Sequence, residues 1–532
     1  MNAHKKMLMV SRTLVCLLSA YVLLFATGGS ARADSIWHGN TIPTEIEKKA
    51  NRLMHDLTKK GFEVSRGYFK LWTVDDCEYT EKKVGVCYGN NPAAPYVVST
   101  VLPWPEEYWE EDTDDPYYGR SNIWGVSDEG YIDVYRFDSR EAIIIFGKLP
   151  PQAAFFSEQT WAFTRQGDFN KDSATYWNVY NDFSDFFNLF FIKVPGHDER
   201  VQIFSALSNP INNVVIERQS EKAFDQIRYF IVTPDRFMDK AVRKALAGLS
   251  VNEEDVFTEP IPSDMYLGLG QNSDDFTTWF RYVHPDNEGA ADKWREDLPL
   301  VLLRVRDTRS HRKPKTYPPV VLETRVAENE LKYKENLLDL IAVVKDEWKQ
   351  AGYKIDDCSG LSESFTDLQR APVNMVGPEC MQTGENCLGD NWDASYQLFG
   401  PMTLDNREAY AVAGTLGTET GNATYVGVGI NQVPMMKGVA NLFDKVLRNT
   451  ANKYKNDVEN TDKFFLYYFT WNCSDLGFND DDDDPCLSLY KYLPVDKPEF
   501  AISIRNYIKP GTQRGPDSAF VLPSRVLKMQ IP

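Results

Sequence analysis

A short charged segment of the form Asp-x-Arg-Glu-Ala occurs twice and is the best candidate for a pair of catalytic carboxylates. Its copies contain Asp138, Arg140 and Glu141, and then Asp405, Arg407 and Glu408. Two carboxyl groups in one cleft can act as general acid and base when burial separates their pKa values. The adjacent arginine instead favours an ionised carboxylate, which suits a salt bridge or a ligand contact. A structural turn, ligand binding and catalysis are therefore three interpretations of this segment.

A second repeated segment has the form Cys-x-Gly-x-Asn-x-x-Ala-x-Tyr and occurs at Cys87–Tyr96 and Cys387–Tyr396. Glycine and asparagine accept left-handed backbone angles, so the pattern predicts a tight loop. Ligand-binding side chains are often found on loops that a rigid scaffold holds in place. The loop is either purely structural or presents polar side chains to a ligand, namely Asn91, Tyr96, Asn391 and Tyr396.

Acidic residues concentrate near the C-terminus, where Asp480–Asp484 form an unbroken run. Alternating aspartate oxygens suit Ca²⁺, so Asp480, Asp482 and Asp484 are candidate ligands for this ion. The run lacks the bidentate glutamate and spaced glycine of an EF-hand, and a solvated acidic loop is the alternative. No other cofactor is indicated.

Aromatic residues make up 13% of the chain, and several alternate with acidic residues over Trp104–Tyr118. Flat rings beside carboxylates can stack on sugars or on cationic ligands. A long loop that packs its rings onto a sheet is equally compatible with this composition. A small molecule or a carbohydrate is therefore a candidate partner.

Several familiar chemistries have no signature in the sequence. There is no G-x-S-x-G, H-E-x-x-H, Walker loop or complete G-x-G-x-x-G, and no histidine occurs after residue 334. These absences exclude an enzyme that uses a histidine base in both halves. The formal net charge of −19 opposes binding to nucleic acid, because phosphate contacts need clustered Lys and Arg.

The N-terminus has the order of a cleavable signal peptide. Basic residues ending at Arg12 precede an uncharged stretch over 13–26, and small residues with the pattern Ala31-Arg-Ala33 follow. The uncharged stretch is shorter than the about 20 apolar residues that span a bilayer. The sequence predicts cleavage after Ala33 and a secreted or periplasmic protein that does not associate with the membrane after cleavage.

Matching segments recur in the same order along the two halves of the chain. Besides the two segments above, the matches pair Cys77 with Cys358, Pro234 with Pro434, and Arg325 with Arg525. A common order of this kind indicates a tandem duplication. We expect a first module at 34–325, a junction at 326–334 and a second module at 335–532.

Each module is expected to open with an amphipathic helix, because apolar residues recur at helical spacing over Ile46–Leu57 and Leu338–Trp348. Strand-like segments follow, with a further helix after Pro234 and its counterpart after Pro434. Helices and strands do not alternate regularly. The expected fold is α+β, with two tandem modules of mainly antiparallel sheet and flanking helices.

Seven cysteines remain once the signal peptide is removed, and an oxidising compartment favours structural disulfides. The duplication predicts the bonds Cys77–Cys87 and Cys358–Cys387, and Cys473–Cys486 is expected to bridge the acidic run. This scheme leaves Cys380 free. The alternative pairs Cys380 with Cys387 and leaves Cys358 free.

Two classes of function are open, and the sequence does not decide whether the protein is an enzyme. The first is a secreted binding or interaction protein, with a ligand between the pseudo-symmetric modules or at the aromatic acidic loops. The second is a secreted hydrolase, acting on glycosides, that uses a carboxylate pair. Binding is favoured because catalytic motifs are missing and histidine is scarce. A deep pocket with two carboxylates about 5–10 Å apart would favour the hydrolase.

Overall fold

The structure is a computed structural model that describes residues 41–111, 121–309, 312–358, 365–370, 372–479, 484–495 and 499–532. The expected signal peptide, part of the aromatic acidic stretch, and the candidate ligands Asp480 and Asp482 lie outside these residues. Within the described ranges, no helix combines the length and the apolar character that crossing a membrane requires.

Eleven α-helices occur in the described residues. They are α1 (Thr44–Lys59), α2 (Cys77–Val84), α3 (Ala174–Asp182), α4 (Phe187–Phe190), α5 (Asn213–Ser220), α6 (Arg236–Ala247), α7 (Glu288–Asp297), α8 (Lys334–Gln350), α9 (Gly377–Thr383), α10 (Gly417–Thr420) and α11 (Asp444–Leu447).

The strands of the N-terminal half, residues 41–309, are β1 (Glu63–Trp72), β2 (Tyr96–Thr100), β3 (Glu141–Lys148), β4 (Ala153–Gln166), β5 (Lys193–Val194), β6 (His197–Ala206), β7 (Ile211–Asn212), β8 (Ile227–Thr233), β9 (Val256–Pro260), β10 (Phe276–Pro285) and β11 (Leu300–Arg306). Those of the C-terminal half, residues 334–532, are β12 (Lys354–Asp357), β13 (Thr366–Asp367), β14 (Ala394–Thr403), β15 (Glu408–Thr415), β16 (Tyr425–Gln432), β17 (Lys437–Phe443), β18 (Phe464–Thr470), β19 (Cys486–Ser488), β20 (Glu499–Tyr507) and β21 (Arg525–Gln530).

Both halves open with the predicted amphipathic helix. Helix α1 buries Ile46, Ala50, Leu53 and Leu57 on one face, and it ends just before Gly61, whose φ of +84° favours glycine. Helix α8 likewise buries one face, with Leu337, Leu340, Ile341, Val344 and Trp348. The regular 3–4-residue spacing of apolar side chains is the cause in both helices.

The strands of the N-terminal half form one sheet in the order β5-β6-β4-β10-β2-β1-β11-β3-β8-β9, and β7 pairs with β4 beside this order. Strand β1 joins its two parts, because residues 63–67 pair with β11 and residues 68–72 pair with β2. Every pairing along this order is antiparallel except β8–β9.

The C-terminal half has two five-stranded sheets, in the orders β12-β21-β15-β18-β19 and β13-β14-β20-β16-β17. These orders match β1-β11-β3-β8-β9 and β1-β2-β10-β4-β6 strand for strand, with β12 and β13 in the two places of β1. The parallel pair is again the last one, β18–β19. The α+β fold with mostly antiparallel sheets is thus as the sequence predicts.

The largest apolar core contains residues of both halves. Trp124, Trp161 and Trp279 of the N-terminal half pack in the same cluster as Trp392 and Tyr425 of the C-terminal half. The rings of Trp124 and Trp279 lie 4.5 Å apart, centroid to centroid, in an edge-to-face arrangement that favours their quadrupoles. The core therefore continues across the boundary between the halves.

Two expected matches between the halves are wrong. The segment after Pro434 is strand β17, not a helix, and its residues alternate between buried and partly exposed, as the period of two of a strand requires. The structural counterpart of β8, which precedes Pro234, is β18. Arg525 begins β21, whereas Arg325 lies outside any strand, so these arginines are not equivalent.

One expected disulfide is also wrong. The bonds Cys77–Cys87 and Cys473–Cys486 are present, but the third joins Cys380 to Cys387 and leaves Cys358 free. Cys380 lies on α9, which packs directly against the loop of Cys387, with 6.0 Å between the Cα atoms. Cys358 follows the edge strand β12 in a different sheet. The positional equivalent of Cys77 is therefore Cys380.

Candidate functional site

The two Cys-x-Gly segments form loops that reach from one half into the other. We call residues 87–94 the first junction loop and residues 387–394 the second junction loop. Tyr88 and Gly89 adopt positive φ angles of +57° and +62°, and Leu388 and Gly389 adopt +54° and +67°. A disulfide ties each loop to the helix before it, α2 or α9. The loops therefore share one backbone shape.

The first junction loop hydrogen-bonds to the C-terminal half at the turn before β17. The amide of Cys87 donates to the carbonyl of Met435 at 2.7 Å, and that of Gly89 donates to the carbonyl of Met436 at 2.7 Å. The side chain of Asn90 adds a third bond, since its Oδ1 accepts from the amide of Gly438 at 2.8 Å.

The second junction loop makes the reciprocal bonds to β6 of the N-terminal half. The amides of Cys387 and Gly389 donate to the carbonyls of Ile203 and Phe204, both at 2.9 Å. Oδ1 of Asp390 accepts from the amide of Ala206 at 2.8 Å. Each loop is thus bonded to the other half in the same pattern.

A cavity of about 80 Å³, which we call the central cavity, lies between the junction loops. Equivalent residues of the two halves line it, among them Gly89 and Gly389, Tyr96 and Tyr396, and Arg281 and Arg505. Its apolar wall includes Trp72, Trp161, Trp279, Leu398 and Met436.

The two cavity arginines occupy the same register in their sheets. On β20, Arg505 lies opposite Tyr396 of β14. On β10, Phe280 lies opposite Val97 of β2, so the next pair along the strands is Arg281 with Tyr96. The sheet geometry therefore brings one arginine from each half to the boundary between them.

Arg281 has a charged partner within the protein, although its Nε is buried without a hydrogen-bond partner among the described residues. Its guanidinium contacts both carboxylate oxygens of Asp393 at 3.2 Å and donates to Ser157 Oγ at 2.7 Å. Asp393 is fully buried and belongs to the second junction loop, so this ion pair also joins the halves.

Arg505 is bonded differently. Its Nη2 donates to the carbonyl of Gly89 at 2.5 Å, whereas Nη1 is buried and has no hydrogen-bond partner among the described residues. Gly429 makes room for this group, because a Cβ atom there would lie 2.9 Å from Nη1. Gly429 therefore lies where strand β16 leaves room for a side chain of the paired strand β20.

The candidate loop residues lie at or beside the central cavity. Tyr96, Asn391 and Tyr396 line it. Asn91 lies in the first junction loop, where its Nδ2 donates to the hydroxyl of Tyr425 at 3.2 Å and its amide to the hydroxyl of Tyr96 at 3.1 Å. Burial raises the pKa of Tyr96 and raises that of Tyr396 further, so both phenols are neutral at pH 7.

The residues of the Asp-x-Arg-Glu-Ala segments lie elsewhere, at the starts of β3 and β15. Glu141 is fully buried and forms an ion pair with Arg304, not with the adjacent Arg140. Burial raises the pKa of Glu141 to about 7, although Arg304 opposes this shift. Trp104 also donates its indole N–H to Glu141 at 3.0 Å.

The second copy of the charged segment is closer to the surface. Glu408 forms an ion pair with Lys528 at 2.8 Å, and Arg407 is exposed and donates to the carbonyl of Ile531 at 3.2 Å. Asp484, the described member of the acidic run, accepts from the amide of Asn479 at 2.6 Å. In the described ranges, no group of three His, Cys, Asp or Glu side chains is arranged to hold a metal ion.

Sequence reasoning missed the three charged residues nearest the central cavity, Arg281, Arg505 and Asp393. A signal was available, since an arginine stands on the penultimate strand of each half, in Trp279-Phe-Arg281 and Ser503-Ile-Arg505. The expected matches of Pro234 with Pro434 and of Arg325 with Arg525 hid it, because they pair residues 200 positions apart, whereas Arg281 and Arg505 are 224 positions apart.

Comparisons with known proteins give weak likenesses only. No protein family and no curated protein matches the sequence. Among solved structures, an uncharacterized protein of Burkholderia cenocepacia is 9% identical with a TM-score of 0.36, over 91% of this chain and 87% of that one. A protein of Vibrio parahaemolyticus is 10% identical with a TM-score of 0.30, over 74% of this chain and 87% of that one. At these TM-scores the likenesses carry no argument about fold family or function.

Proposed function

We propose that the protein is an exported binding protein built from two duplicated modules that hold a small-molecule ligand in the central cavity between them. The modules span residues 34–325 and 335–532, and the signal peptide directs export. The observation that carries the proposal is the central cavity, which equivalent residues of both halves line together. Three disulfides are consistent with an oxidising compartment.

The duplication is supported by three independent features of the described residues. The strand orders of the two halves are the same, with the parallel pair in the same place. Each half carries a disulfide-tied loop with the same positive φ angles. The loops exchange equivalent backbone hydrogen bonds. None of these features requires another by physical necessity, and a duplication accounts for all of them.

The size and lining of the central cavity favour a small organic ligand. A volume of about 80 Å³ equals that of about two to three water molecules in the liquid, at about 30 Å³ each, and it limits the ligand to a few non-hydrogen atoms. Tryptophan and tyrosine rings beside a few polar groups are typical of small-molecule sites.

The alternative, a hydrolase with a carboxylate pair, has less support. The cavity lining, taken over the described residues, includes no Asp or Glu. Glu158 and Glu259 do interact, but they are 0% and 1% exposed inside the N-terminal half. Glu141 is held by Arg304. These carboxylates lie inside the fold and not in the lining of the central cavity. We therefore favour a binding function over a hydrolase.

A cavity-filling variant tests the proposal. Ser503 lines the central cavity at the position equivalent to Trp279, so Ser503→Phe should fill the space, whereas Ser503→Ala leaves it open. A library of small carboxylates, amides, alcohols and sugars is screened by thermal shift, and hits are measured by calorimetry. We expect at least one ligand class to bind the wild type and Ser503→Ala but not Ser503→Phe. Hits that bind Ser503→Phe unchanged, or no hits at all, would contradict the proposed site.

A further inference from the structure

We propose that the ligand of the central cavity is a small organic carboxylate, whose carboxylate pairs with Arg505 and whose apolar part packs on the aromatic wall. This inference rests on the proposed binding function and adds the chemical class of the ligand. It depends on a break in the pseudo-symmetry between Arg281 and Arg505.

Arg505 is a buried guanidinium without an acidic partner. Its side chain belongs to a residue that is 5% exposed, and no ion pair to it occurs among the described residues. Nη1 has no hydrogen-bond partner in that part of the chain. A buried charge without a counter-charge costs several kcal/mol of folding free energy, as an order of magnitude. An anion that enters the cavity would offset this cost, and the gain would appear as affinity.

The pseudo-symmetry shows which group is missing. Arg281 is neutralised by Asp393 of the opposite half's junction loop. The two loops align without gaps from Cys87 with Cys387 to Tyr96 with Tyr396, so the equivalent of Asp393 is Ala93. Ala93 is exposed and carries no charge, so Arg505 has no counterpart of Asp393. Because Arg505 lines the central cavity, a carboxylate brought by a ligand can reach it there.

The surroundings of Arg505 suit an anion with an apolar body. The hydroxyl groups of Tyr96, Tyr396, Tyr425 and Tyr507 are near enough to influence its charge. The hydroxyls of Tyr96 and Tyr396 each accept from an asparagine N–H, so their own hydrogens are available to donate to a carboxylate. Burial raises the pKa of Tyr96 and of Tyr396, so neither phenol supplies a negative charge to Arg505.

The apolar part of the ligand would contact the other wall. This wall carries no charged side chain and is formed by Trp72, Trp279, Leu398 and Met436. A short aliphatic group of about one to three carbons is compatible with the volume of about 80 Å³. Inorganic phosphate would satisfy Arg505 but leave this wall without a partner.

The test compares acids with their uncharged isosteres. Calorimetry measures formate, acetate, propionate and butyrate, the matched amides such as acetamide, and inorganic phosphate, against the mature protein. We expect a carboxylate to bind at least about tenfold more tightly than its amide, because hydrogen bonds to charged groups are the stronger ones. Arg505→Gln should lose this preference, whereas Arg52→Gln, at an exposed position on α1, should keep it.

The outcomes separate the two proposals. An amide that binds as tightly as its acid would overturn the carboxylate inference and leave the binding function intact. Ligands whose affinity is unchanged by both Arg505→Gln and Ser503→Phe would overturn both proposals. Tighter binding of phosphate than of every carboxylate would overturn the carboxylate inference and assign the site to an inorganic anion.

A second variant keeps the test decisive if Arg505→Gln does not fold. Asn431 lines the central cavity, and its Oδ1 is buried without a hydrogen-bond partner among the described residues, so Asn431→Asp keeps the shape of the side chain and adds a carboxylate to the cavity. We expect Asn431→Asp to weaken carboxylate binding at least about tenfold. Unchanged affinity in this variant would overturn the placement of the ligand's carboxylate in the central cavity.

Discussion

Asn90 and Asp390 hold equivalent places in the two junction loops, and each accepts a hydrogen bond from a backbone amide of the other half. Asn90 Oδ1 accepts from Gly438 and Asp390 Oδ1 from Ala206, both at 2.8 Å. The two buried amides at the boundary between the halves are thereby satisfied by side chains of the opposite half. These contacts help to hold the halves together.

Asp390 should be the more important of the two for stability. Besides Ala206, it accepts from the amide of Gly377 at 2.9 Å and from the indole N–H of Trp392 at 3.0 Å. Asp390→Ala leaves three buried donors without a partner, and each costs about 1–3 kcal/mol. We expect the free energy of unfolding in urea to fall by about 3 kcal/mol or more. Asp346→Ala, at an exposed position on α8, is the control and should change it by less than about 0.5 kcal/mol.

Glu158 should make stability depend on pH. Burial, and then the neighbouring carboxylate of Glu259, raise the pKa of Glu158 well above its usual value. Glu259 accepts from Thr160 and Ser208, whereas no hydrogen-bond donor reaches Glu158 in the described residues, so Glu158 keeps the proton.

The direction of the pH dependence follows from the linkage between proton binding and folding. The folded state binds this proton more tightly than the unfolded state, so the stabilising contribution is complete below about pH 4.5 and is lost as the pH rises toward the raised pKa. Glu158→Gln removes the titrating carboxyl group and therefore this loss of stability at higher pH. From pH 5 to 9, its stability relative to wild type should rise by up to about 1.4 kcal/mol per pH unit in urea titrations. If the difference in stability between Glu158→Gln and wild type did not change with pH, as we expect for the exposed Glu254→Gln, the raised pKa of Glu158 would be contradicted.

The cysteine pairing can be checked by non-reducing peptide mapping. We expect three linked pairs, with Cys380 bonded to Cys387 and Cys358 alone available for alkylation. Burial raises the pKa of the Cys358 thiol, so alkylation should be faster at pH 9 than at pH 7. A peptide that links Cys358 to Cys387 would restore the pairing that the sequence predicts.

The start of the mature chain is a prediction of the sequence alone. N-terminal sequencing of the exported protein should begin at Asp34, because the Ala31-Arg-Ala33 pattern fits the signal peptidase site. The variant Ala33→Arg should block cleavage and leave a longer chain on the membrane fraction. Native exported protein that still begins at Met1 would contradict the prediction.

Local patterns in the sequence were sufficient for the opening helix of each half and for the general character of the fold. The apolar spacing over Ile46–Leu57 predicts α1, and that over Leu338–Trp348 predicts most of α8, because a helical stripe must face a core. The two Cys-x-Gly loops were also recognisable, since their glycines stand where φ is positive. These properties depend on neighbours within a few residues.

The tertiary structure decided the pairing of Cys380 and the nature of the central cavity. Asp-Asp-Cys occurs at both Cys77 and Cys358, but only Cys77 begins a helix that lies beside a junction loop. The three-residue motif does not specify whether its cysteine lies on such a helix. Arg281 and Asp393 are 112 residues apart and meet only because a loop of one half enters the other. A charge pair of this kind depends on the packing of distant strands, so no local pattern in the chain specifies it.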